Sequence, residues 1–122
     1  MPNPSDTAVF NSDAMLNRLR GDLEHAIDLI RLYQYHSPQM LQTAVLAAVA
    51  GDMEALASAA HRLKGATAHV HGEFLHQLAG RIEHLARANH KDRATALLEE
   101  LQQAWFLLID ALTEFLPTQL SS

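Results

Sequence analysis

The chain has no cysteine, so any nucleophilic chemistry falls to other side chains, and one histidine stands out by its setting. In Ala60-His61-Arg62-Leu63-Lys64-Gly65-Ala66 a lysine follows the imidazole by three residues and a glycine by four. A free imidazole titrates near ~6.5, so near pH 7 it is largely neutral and nucleophilic. A lysine one helical turn away can balance the charge of a phosphoryl group carried on the ring. The residue types therefore suit an imidazole offered to a partner protein, provided it is held outward.

Helical geometry says that it is. On a wheel turning about 100° per residue with Leu63 toward the core, Leu56, Ala59, Ala60, Ala66, Thr67 and Val70 fall within roughly 60° of that direction. His61 and Gly65 fall about 160° away, one on each side of the outward direction. Ser58, Ala57, Ala68 and Gly72 are expected on the same outer half, where a solvated helix normally carries long charged side chains. Glycine inside a helix costs about 1 kcal/mol relative to alanine. One that points away from the core is explained by close approach from outside.

The elements that hold this helix are legible from punctuation and spacing. At 122 residues the chain is long enough for one domain with a real core. Its wealth of Ala, Leu, Gln, Glu and Arg predicts an all-α fold. Residues 1–10, with Pro2, Pro4 and Ser5, read as an extended lead-in or linker remnant, 11–117 as a helical bundle, and 118–122 as a tail. A short helix capped by Asn11 or Ser12, with Met15, Leu16 and Leu19 on one side, runs to Arg20 with Gly21 as its stop. Asp22 caps a helix to about Tyr35 with Leu23, Ala26, Ile27, Ile30 and Tyr33 inward. Ser37-Pro38 predicts a restart, with Leu41, Ala44, Val45 and Ala48 as the next stripe.

Gly51-Asp52 stops that helix and opens the one with the motif, from Met53 to about Val70. Phe74–Asn89 follows, with Leu75, Leu78, Ile82 and Leu85 inward. A last helix is expected from about Arg93 to Leu116, where Pro117 ends it, with Leu97, Leu101, Ala104, Trp105, Leu108, Leu112 and Phe115 inward. Short connections between long amphipathic helices predict an up-and-down antiparallel four-helix bundle with an additional short N-terminal helix. Tyr33, Phe74, Trp105 and Phe115 sit at core spacing and read as packing.

Other function classes fare worse. A net charge of −5 with basic residues spread along the sequence gives no nucleic-acid footprint. The longest apolar run, Ala44–Ala50, is far short of a membrane span, and the first ten residues lack the regions of a signal peptide. A cytoplasmic protein is expected. The five glycines are isolated, so no phosphate-cradling loop and no self-contained kinase is present. None of the eight histidines lies three or four residues from another, the spacing that pairs ligands on one helix face; only a site assembled between helices would bind metal. Glu99-Glu100 and the arginines of the last two helices read as solvated faces.

His61-Arg62-Leu63-Lys64-Gly65 resembles the H-x-L-K-G signature of histidine-containing phosphotransfer (HPt) domains of bacterial multistep phosphorelays. Val9-Phe10-Asn11, Gly51-Asp52, Gly72-Glu73-Phe74-Leu75 and Ile82-Glu83 extend the resemblance over roughly residues 9–116. It implies that His61 accepts a phosphoryl group from the phospho-aspartate of one receiver domain and passes it to the aspartate of another. Lys64 would stabilise the phosphoryl oxygens and Gly65 would leave room for the receiver. No cofactor or metal of its own is implied, since the receiver supplies Mg²⁺ and the catalytic groups. The implied partners are response-regulator receivers, of a hybrid sensor kinase and a downstream regulator, meeting a monomer. Met15, Leu29 and Leu32, at or beyond the edge of the core stripes, are expected to form the docking surface with Ser58, Arg62, Ala68 and His69. His69 and His71 depart from the family pattern, which carries a small or amide residue and a glycine there. His69 would put a second titrating group beside the docking surface, and His71 would cap a helix end while Gly72 takes the flexible position. A docking bundle that relays no phosphate and a histidine-based metal binder are the competing readings.

Overall fold

Three of the helices begin at a side chain that meets their free amides. The Asn11, Asp22 and Asp52 carboxyl or amide oxygens accept from the backbone N–H of Ala14, His25 and Ala55, each at 3.0 Å. In the computed structural model, which describes residues 7–117, the helices are α1 (Ser12–Arg18), α2 (Leu23–Val49), α3 (Met53–His69), α4 (Glu73–Arg87), α5 (Lys91–Ala96) and α6 (Leu98–Phe115). The described residues are all-helical, without a strand, and no helix among them is long and apolar enough to cross a membrane. The lead-in over residues 1–6 and the tail at 118–122 lie outside the described residues.

The first four helices end alike. Arg20, Gly51, His71 and Asn89 turn into the left-handed region with φ of 56°, 71°, 55° and 59°. The next N–H then folds back onto a carbonyl five residues earlier: Gly21 to Leu16, Asp52 to Ala47, Gly72 to Thr67 and His90 to Leu85. Among the four, Gly51 adopts this conformation freely and Asn89 tolerates it, whereas Arg20 and His71 are unusual there. At the third turn His71 closes the helix end as expected, but it also takes the flexible position expected of Gly72. His71 takes the positive φ, while Gly72, at φ −82°, is small because a Cβ there would stand 2.6 Å from Leu108 Cδ2 and 2.9 Å from Thr67 Cγ2.

Two boundaries differ from expectation. Ser37-Pro38 does not restart a helix: α2 runs straight through it for 27 residues, roughly 40 Å at 1.5 Å per residue. Tyr33, Ser37, Leu41 and Ala44 all face inward, and their burial holds the helix across a proline that removes one ladder bond. Ser37 is fully buried and accepts a hydrogen bond from Trp105 Nε1 at 2.9 Å, so its hydroxyl ties α2 to α6 instead of capping. The expected last helix is divided at Leu97, whose N–H bonds to Ala94 three residues back, a local tightening of the turn.

The motif helix α3 packs between α2 and α4, and α6 lies against both α4 and α2. Ile30, Leu56, Leu63, Leu75, Ile82, Leu101, Leu108 and Leu112 are buried at the centre. Val9 and Phe10, assigned to the lead-in, pack on this core, and Phe10 meets Phe115 edge-on at 5.4 Å. Leu23, placed in the inward stripe of α2, is 46% exposed.

Candidate functional site

α3 presents His61 as the wheel requires, with Leu63 fully buried and the imidazole 61% exposed. Exposure alone makes no site; the neighbour does. On α4, Leu75, Leu78, Ala79, Ile82, Leu85 and Ala86 face inward, and Glu83 falls among them with its side chain 10% exposed. A carboxylate at such a position must be paired. Glu83 Oε1 accepts from Lys64 Nζ at 2.8 Å, and Oε2 accepts from Arg87 Nη2 at 2.9 Å and Nε at 3.1 Å. The Lys64 hydrogen bond, opposed by burial and reinforced by Arg87 and by the charges of Lys64 and His61, pulls the Glu83 carboxyl down to about 2.

An ionised carboxylate has no proton to donate. Glu83 Oε2 lies 3.0 Å from His61 Nδ1, so Nδ1 carries the hydrogen and donates it. In the neutral ring the lone pair then resides on Nε2. This arrangement fixes one tautomer, with the nucleophilic nitrogen opposite the buried carboxylate. The turn after the motif is fixed too, because His76 Nδ1 of α4 donates to the Lys64 carbonyl at 3.0 Å.

Glu83 and Arg87 were not singled out from sequence as site residues. The readable signal was a carboxylate at an inward position of α4, four residues ahead of an arginine. Of the expected residues, Ser58, Arg62, Gly65 and His69 are exposed, while Lys64 and Ala68 are half-buried. A Cβ added at Gly65 meets nothing within 4 Å, so no internal packing requires that glycine. Leu29 and Leu32 line an apolar groove of about 160 Å³ between α2 and α3, together with Met40, Ala66 and His69.

Three placements are corrected. Met15 is 1% exposed and belongs to the core, because α1 lays its apolar side on the bundle; it takes no part in a docking surface. Ala57 is buried at 2% rather than outward, since α3 is covered from two sides by α2 and α4. Gly72 is not on the α3 surface, because the helix ends at His69 and the chain reverses at His71 before reaching it. The His71 Nε2 is buried without a hydrogen-bond partner among the described residues. Burial, reinforced by Arg18, holds that ring below the ordinary imidazole value and so keeps it neutral.

Among the described residues no group of three or more histidine, aspartate or glutamate side chains is arranged to hold a metal ion. No curated protein and no solved structure gives a significant match to the chain. The family model described as Hpt domain matches residues 28–115, the span that contains α3, the Glu83 cluster and most of the bundle around them. The chain therefore belongs to the Hpt domain family, whose members are phosphocarriers that perform histidine phosphotransfer in phosphorelays through receiver domains.

Proposed function

We propose that His61 is the phosphoryl acceptor of this chain and that Nε2 is the attacking atom. The observation that carries the proposal is the hydrogen bond from Nδ1 to the ionised Glu83 carboxylate. The Nε2 lone pair attacks phosphorus in the phospho-aspartate of a receiver. The N–P bond forms as the P–O bond to the aspartyl carboxylate breaks, and the carboxylate leaves with the bonding pair. The Nδ1 proton stays in place, so the phosphorylated ring is cationic and faces Glu83, which stabilises it. Reversal of the same steps on a second receiver hands the group on.

Lys64 acts on the phosphoryl oxygens once it exchanges Glu83 for them, and Gly65 leaves the surface open for the receiver's active site. The receiver brings Mg²⁺ and the remaining catalytic groups. Leu29, Leu32, Ser58, Arg62, Ala68 and His69 form the docking surface, with the apolar groove between α2 and α3 as its centre. In this reading the long helices α2, α3, α4 and the α5–α6 pair make an up-and-down antiparallel four-helix bundle, with α1 as an additional short helix. The carrier is a cytoplasmic monomer that shuttles between a hybrid sensor kinase and a downstream regulator.

Incubation with a phosphorylated receiver carrying labelled phosphate tests the proposal. Acid-labile, base-stable label is expected on the wild type and none on His61→Gln. Label that persists on the variant, or no transfer from any physiological donor, sinks it.

A further inference from the structure

Gly80 sits in the middle of α4, where glycine weakens a helix, and none of the usual reasons for glycine applies. Its φ is not in the left-handed region, so the backbone does not demand it. A Cβ built there meets one atom within 4 Å, and that atom belongs to no core residue: it is Lys64 Cδ, at 3.4 Å. The aliphatic stem of Lys64, crossing from α3, thus lies at contact distance from where a Cβ would stand and takes the space that a longer side chain would need. Gly80 and Glu83 are three residues apart, on one face of α4. The stem passes over the first on its way to the second, where Nζ meets Oε1 at 2.8 Å.

We infer that Gly80 is a positioning residue of the His61 site: a small residue there leaves open the track along which Lys64 reaches Glu83, and Glu83 in turn orients the imidazole. A methyl group at 80 makes ordinary contact with the stem and is tolerated. A longer side chain takes the track and turns the ammonium out to solvent. The role assigned to Gly80 rests on the phosphoryl-acceptor reading of His61, but the positional chain is measurable without any phosphoryl transfer, so the two fail separately.

The test is NMR on the full chain. In the unmodified protein a cross-relaxation signal is expected between the Gly80 Hα protons and the Lys64 Hδ protons; its absence overturns the inference. In Gly80→Leu the midpoint of the Glu83 carboxyl should rise by about one pH unit or more as its lysine leaves. The His61 ring ¹⁵N shifts should move from the Nδ1–H pattern toward a mixture of tautomers. Gly80→Ala should behave as wild type. In a Lys64→Ala background, Gly80→Leu should add nothing further. Equal effects in both backgrounds, or an unchanged Glu83 midpoint in Gly80→Leu, overturn it. Should the leucine variant not fold, the signal in the unmodified chain decides.

Discussion

An imidazole offers two nitrogens, and a carrier needs only one of them to react. At His61 the choice is made by a residue 22 positions away, through the 3.0 Å bond to Glu83. Glu83→Ala should therefore leave α3 intact yet allow both tautomers, which ring ¹⁵N shifts will resolve, and should slow phosphorylation by on the order of tenfold or more. Glu83→Gln keeps an acceptor but loses the charge. The glutamate carboxyl sits at about 2 instead of 4.5, so its contribution to stability is complete above about pH 4.5 and is lost as the pH falls through 2. The difference in denaturant midpoint between wild type and Glu83→Gln should accordingly be constant above that range and shrink toward pH 2. Gly65→Ala should separate folding from function: with nothing within 4 Å of the new Cβ, it should stabilise the helix by about 1 kcal/mol while slowing transfer from a receiver. The placement of His61, Lys64 and Gly65 on one turn of α3 was legible because their relation is local. Glu83 was not, because pairing between helices leaves no fixed spacing; only a charge on an apolar stripe marks it.

At the scale of elements, the caps at Asn11, Asp22 and Asp52 and the left-handed ends were readable because they are local chemistry. The course of α2 through Pro38 was not. Ser-Pro is a restart signal when the chain is free to turn, and here the burial of Tyr33, Ser37 and Leu41 on one face overrides it. Pro38→Ala should restore the missing ladder bond and, after the loss of proline's restriction on the unfolded chain, raise stability by about 1–2 kcal/mol in a denaturant titration. Gly72→Ala should do the opposite. Its Cβ would press on Leu108 and Thr67, and the shift needed should cost about 1–3 kcal/mol with the same measurement.

The whole molecule is organised around α3, which gives its apolar side to α2 and α4 and keeps a cleared outer face for His61. The all-helical architecture was legible from composition and period; how far α3 is covered and how α1 seats on the bundle were not, which is why Ala57 of α3 and Met15 of α1 were expected outside and lie inside. The buried polar contacts also join the helices end to end. Trp105 of α6 donates to Ser37 of α2, and one turn earlier on α2 Tyr33 shares a 2.9 Å hydrogen bond with Thr67 of α3. Burial pushes the Tyr33 phenol up to about 12 against the opposing pull of the Thr67 and Ser37 hydroxyls, so the hydroxyl keeps its proton throughout the working range. Because Trp105 is the sole tryptophan of the chain, its indole is a built-in optical gauge. Its emission should shift when Ser37→Ala removes its partner, and a shift on receiver binding would report, without any label, that docking on the groove lined by Ser37 has reached α6.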